Sequence, residues 1–97
     1  MLSNKNRKYL RGLANSLKPM IQMGKDGNKE TFIRQLDMML ESHELVKVNV
    51  LETSPMSAHE AANYFVERIG AEYVQDIGRK FVLYRASQED PQIVLPD

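Results

Sequence analysis

The sequence predicts a mixed α+β domain of order α-β-α-β-α-β-β, with helices covering a four-stranded mixed sheet in two layers. Three observations predict it. Leu45-Val46-Lys47-Val48-Asn49-Val50-Leu51 alternates with period two, placing Val46, Val48 and Val50 on one face and Lys47 and Asn49 on the other. Phe32, Ile33, Leu36, Met39 and Leu40 recur at helical spacing before that strand, and Ala61, Ala62, Phe65 and Ile69 after it. Tyr73-Val74-Gln75-Asp76-Ile77 and Phe81-Val82-Leu83-Tyr84-Arg85 bracket Gly78-Arg79, the form of a hairpin whose glycine takes a positive φ.

Each element then has its own signal. Ser3 or Asn4 caps a first helix running to about Leu17, with Leu10, Leu13, Ala14 and Leu17 on one stripe that starts at Asn6. Lys8, Arg11 and Asn15 lie roughly opposite, with Lys5 and Arg7 to the sides. On an isolated helix that basic face would be ordinary solvation, but this one runs through Lys18 into the next motif. Pro19 ends the helix and sets up an extended segment, Met20-Ile21-Gln22-Met23. Gly24-Lys25-Asp26-Gly27 forms a tight loop, Asn28 is placed to cap a second helix, and Glu30 suits its dipole. That helix extends to about Ser42 and joins two sheet strands, so the first two strands are expected to be parallel. Glu52 to Met56 connects onward with Pro55 as a breaker. Ser57-Ala58-His59-Glu60 has capping-box spacing, and Gly70 stops the third helix. The domain is expected over 1–85, followed by a loosely held tail over 86–97.

Ninety-seven residues suffice for one core, and 42% hydrophobic with 27% charged residues is ordinary globular composition. There is no cysteine, which excludes disulfides and thiolate zinc sites. No apolar run approaches the ~20 residues of a membrane span, and the N-terminus has no apolar signal core. A cytoplasmic monomer without a membrane partner is the expectation. Net charge is zero, yet residues 1–29 hold seven basic groups against Asp26 alone, while residues 30–97 hold six basic and twelve acidic groups. One end of the molecule is therefore basic, and it contains the glycine loop.

The loop is the candidate site. Glycines without Cβ permit left-handed angles and close approach of another backbone. The amides opening the next helix lack intrahelical partners and sit at the positive end of its dipole, which suits a phosphate. Lys25 and Lys29 add positive charge, and Asp26 at the tip opposes it. Gly-x-x-Gly is a short pattern that more often marks a plain turn; its place between strand and helix, flanked by lysines, favours a loop that grips an RNA backbone.

Three segments together resemble one family. They are Leu10-Arg11-Gly12-Leu13-Ala14 with Leu17-Lys18-Pro19 and Gly24-Lys25-Asp26-Gly27, then His43-Glu44-Leu45-Val46-Lys47-Val48, then Ile77-Gly78-Arg79-Lys80-Phe81-Val82-Leu83-Tyr84-Arg85. In order and spacing the chain is similar to the CRM domain (chloroplast RNA splicing and ribosome maturation), in its stand-alone bacterial, YhbY-like form, over about residues 2–85. The tail ending Leu95-Pro96 is similar too. The resemblance implies a fold like the C-terminal domain of translation initiation factor 3, and RNA binding through the Gly-x-x-Gly loop and adjacent basic surface. It further implies a link to large ribosomal subunit precursors, as for single-domain bacterial relatives; plant relatives carry the domain in intron-splicing factors. Gly24, Lys25 and Gly27 match the family loop. Asn28-Lys29-Glu30 stands where the family usually has an aliphatic residue and Ser or Thr, and Asp97 replaces a basic ending.

Catalytic chemistry is not evident. His43 and His59 are the only histidines, one at a helix end and one within the capping box, and no metal or cofactor is expected. No nucleophile elbow or phosphate loop with the Lys-Ser/Thr signature occurs. Glu41, Glu44 and Glu52 read as a solvated acidic side. The expected function is non-enzymatic: ribosomal RNA in a large-subunit precursor, held by Gly24, Lys25, Asp26, Gly27 and Lys29, with Lys8, Arg11 and Lys18 extending the contact and Arg79 and Lys80 as further candidates. Base stacking is not supported, Tyr9 being the one aromatic outside core-like positions. The alternative is a protein-interaction module whose basic end binds an acidic partner.

Overall fold

The alternating valines around Lys47 and Asn49 form an inner strand of the sheet. The computed structural model describes residues 2–97, so Met1, the first residue of the expected domain, lies outside it. The elements are α1 (Asn4–Asn15), β1 (Ile21–Met23), α2 (Glu30–His43), β2 (Leu45–Val50), α3 (Ala58–Ile69), β3 (Glu72–Ile77) and β4 (Lys80–Tyr84). Strand order is β1-β2-β4-β3; β1 and β2 are parallel across the α2 crossover, and the other pairings are antiparallel.

Strand parity divides the interior into two clusters. On one face Ile21, Met23, Val46, Val48, Phe81 and Leu83 pack against Ile33, Leu36 and Leu40 of α2 and Ala61, Ala62 and Phe65 of α3. Phe65 stacks on Phe81 with ring centres 6.1 Å apart and meets Phe32 at 5.7 Å. On the other face Leu45, Val74, Val82 and Tyr84 pack against Leu10 and Ala14 of α1. The expected two layers are thus α2 and α3 on the sheet, and α1 adds partial cover behind it. A bulge between Tyr73 and Gln75 shifts the β3 register, turning Gln75 to the α1 face beside Val82 and Asp76 to the α3 face beside Phe81.

Local signals hold where the backbone needed them. Ser57 and Glu60 form the reciprocal capping box. Gly70 (φ 67) ends α3, and Gly78 (φ 60) makes the hairpin turn. Helix α1 is shorter than expected, ending at Asn15 rather than about Leu17. Lys47 closes this end: its Nζ donates to the carbonyls of Ala14 and Leu17, each at 3.0 Å, setting a cation at the negative end of the helix.

The tail is not loose, and the acidic side is not merely solvated. Glu44 is 2% exposed and accepts backbone N–H bonds from Ser87 (2.8 Å), Gln92 (2.8 Å) and Ile93 (2.9 Å). Glu41 accepts from the Ser87 hydroxyl and the Gln88 amide, and Ile93 and Leu95 pack on the α1 cluster. Glu44 is also the only non-glycine residue with positive φ (66°) among those described. Such a conformation costs on the order of 1–3 kcal/mol, and it aims the carboxylate at the tail amides. Burial pushes the Glu44 carboxyl up, but the amide bonds from Ser87, Ile93 and Gln92 together outweigh it and hold the group below its ordinary 4.5. A depressed folded-state value means this attachment is complete above about pH 4.5 and is lost as pH falls through the folded value. The Gln92 and Ile93 amide resonances should therefore move to disordered-chain positions on acidification. Glu44→Gln should produce the same shift at neutral pH while the sheet resonances stay in place.

Candidate nucleic-acid interface

Edge strand β1 delivers the chain into the glycine loop. The Gly27 amide bonds the Gly24 carbonyl (3.1 Å), and the Lys29 amide bonds the Asp26 carbonyl (3.0 Å), giving two overlapping turns before α2. Lys29, not Asn28, is the N-cap; it is extended, and no side chain caps the helix. The expected Asn28 cap is thereby corrected, and the first-turn amides of α2 are left without a side-chain acceptor. That leaves the positive end of the helix unblocked.

The two glycines serve different purposes from the one expected. Neither has a positive φ. A Cβ on Gly27 would lie 2.3 Å from Cγ and 2.5 Å from Cε of Met23, whereas one on Gly24 would meet Thr53 Oγ1 at 3.4 Å. Gly27 is glycine because the loop lies directly on a fully buried methionine. Gly24 has nearly ordinary room.

The loop's carboxylates are engaged. Asp26 pairs with Lys29 at 3.4 Å, both largely exposed, and Glu30 pairs with Arg68 at 3.0 Å. Exposed pairs of this kind contribute about 0–1 kcal/mol and open readily. Lys25 is exposed and has no ion-pair partner among the described residues. Beside the loop runs an open groove of about 710 Å³, lined by Gln22, Lys25, Lys29, Thr31, Gln35 and Thr53 among others.

The remaining candidates fall in three places. Lys8 and Arg11 are exposed on the flank of α1 that continues to Asn15, and Asn15 borders Lys47, Gln75 and Lys80 on the sheet. Lys18 is exposed just past the helix end. Lys80 stands opposite Asn49, which stands opposite Gln22, the second residue before the loop. Arg79 is held apart at the hairpin turn by Glu52, 3.1 Å away. Loop, Lys80 and the α1 flank therefore border one surface, while Arg79 sits at its rim. Tyr9 is 41% exposed, but it shares its side of α1 with Leu13, which faces Ile93 of the tail. Sequence reasoning passed over Gln22, Lys47, Asn49 and Gln75; the alternation of β2 already put Lys47 and Asn49 on one polar face.

A second polar cluster lies on the α3 side. His59 Nδ1 is 2.8 Å from Asp76 Oδ2, and the Tyr73 hydroxyl donates to the same oxygen. Burial, with Asp76 beside it, pushes the Tyr73 hydroxyl up to about 12, and the Tyr73 and His59 bonds hold Asp76 below its usual range. Among the described residues no three metal-ligating side chains cluster, and no helix is long and apolar enough to cross a membrane.

Residues 2–85 match the CRS1 / YhbY (CRM) domain. The chain belongs to this family. It is 38% identical over 96 residues to the Bacillus subtilis protein named Probable RNA-binding protein YqeI, covering 99% of this chain and 100% of that one. A Haemophilus influenzae protein named RNA-binding protein is 37% identical over 95 residues, covering 98% and 95%. The solution structure of a hypothetical protein from Staphylococcus aureus superposes with a TM-score of 0.80 at 43% identity, covering 99% and 100% of the two chains. This CRM domain has the three helices and four-stranded mixed sheet of that structural relative.

The Met23 contact separates the two glycines experimentally. Gly27→Ala should lower unfolding free energy by about 1–3 kcal/mol through overpacking, and Gly24→Ala by less than about 0.5 kcal/mol. Urea denaturation of the two variants checks this.

Proposed function

We propose that the protein binds RNA through its backbone, without catalysis, and assists assembly of the large ribosomal subunit by holding ribosomal RNA in a precursor particle. The supporting observation is the start of α2, which no side chain caps, set behind the Gly24–Gly27 loop with Lys25 unpaired, both among the described residues. Amides and ammonium there meet a phosphate together. Lys8, Arg11, Lys18 and Lys80, none ion-paired among the described residues, extend the contact along a structured RNA. The names of the two bacterial relatives support RNA as the partner. In this role the protein acts in the cytoplasm as a monomer. The same basic surface also fits an acidic protein; that reading predicts no RNA copurifying at low salt, visible in the 260/280 nm absorbance ratio.

With about four to six phosphates neutralised, log K for precursor RNA should fall with log salt at a slope of roughly −3 to −5. Lys25→Ala should make the slope shallower by about 0.7–0.9 and reduce cosedimentation with large-subunit precursors. Binding that ignores salt, or a Lys25→Ala slope equal to the parent's, would reject the backbone grip.

A further inference from the structure

Helix α1 stops at Asn15, so part of the sheet face behind it is open. Register places Gln22 opposite Asn49, Asn49 opposite Lys80, and Lys80 opposite Ile77, one residue from each strand in a single row. Three inter-strand spacings make this row about 14 Å long. Behind it Lys47 and Gln75 flank Val82, with Asn15 at the edge, and among the described residues no carboxylate lines that groove. The β3 bulge is responsible in part, because it turns Asp76 to the opposite face. Glu72, further along β3, takes the Leu2 amide near the start of α1.

Two features distinguish this surface from ordinary polar cover. The side-chain amides of Gln22, Asn49 and Gln75 have no hydrogen-bond partner among the described residues. Ile77, at the end of the row, is 67% exposed. A carboxamide presents a donor and an acceptor side by side, which matches the edge of a base. Lys80 among them attracts phosphate, Lys47 being held by the Ala14 and Leu17 carbonyls, and an exposed isoleucine gives a base face an apolar rest.

We propose that the open part of the sheet reads the bases of an unpaired RNA segment, with Gln22 and Asn49 as the specificity-determining side chains. The strand is held by its backbone at the glycine loop and crosses the sheet from Gln22 towards Lys80. Recognition uses hydrogen bonds to unstacked base edges rather than aromatic stacking. This inference rests on the RNA-binding reading above and adds sequence preference to it.

The test is selection from random-sequence RNA with the full chain, followed by affinity measurements on the enriched sequence and on the unselected pool. A preferred sequence should emerge. Gln22→Ala with Asn49→Ala should weaken its binding about 5- to 150-fold, bringing it towards the affinity of the pool. In the parent protein, the side-chain amide resonances of Gln22 and Asn49 should shift on titration with the selected RNA, a readout independent of whether the double variant folds. RNA bound with no sequence enriched, a preference surviving in the folded double variant, or unmoved amide resonances would each overturn base reading and leave backbone binding intact. A parent protein that binds no RNA would overturn both.

Discussion

One residue of register in β2 decides what every other element meets. Val46 and Val48 supply the floor for α2 and α3, while Leu45 and Lys47 look the other way. A slip by one would bury Lys47 and Asn49 under Phe65 and expose the valines. Because β2 is hydrogen-bonded to β1 on one side and β4 on the other, its parity propagates across the sheet. It places Met23 inward, where it supports the loop, and Gln22 outward. The same parity, interrupted once by the β3 bulge, leaves a basic and amide-rich strip beyond the end of α1 on the face it partly covers.

The loop is first of all a packing feature. Its glycines sit in ordinary backbone regions, and the close contact is between Gly27 and a core methionine. A thioether is adaptable, so the loop rests on a surface that conforms to it. Two of its amides, those of Gly27 and Lys29, close its own turns, and the first turn of α2 behind it has no side-chain cap among the described residues. Asp26, which looked like an obstacle to anions, is matched by Lys29 within the same turn.

Much of this was legible from residue pattern. Period-two alternation in β2, the capping box at Ser57 and the hairpin glycine at Gly78 are local signals, and local signals survive folding. Gly70 belongs with them. The misread features depend on partners distant in sequence. Glu44 looks like any surface glutamate until the tail, more than forty residues on, brings amides to it. Asn28 has the right chemistry for a cap but the second turn carries the helix start past it. Gly27 reads as a conformational glycine because sequence shows flexibility and conceals contact. Lys80 could not be related to the loop without the β2–β4 register.

The tail has a geometric consequence at the chain ends. The Asp97 amide bonds Asn6 Oδ1 at 3.0 Å, and Ile93 lies beside Leu13 and Leu17 on the flank of α1 away from Arg11 and Asn15. The C-terminus therefore comes to rest against the first helix, on the side turned from the basic surface. A fluorophore or affinity handle attached there would stand clear of the surface that carries Lys8, Arg11 and Lys80.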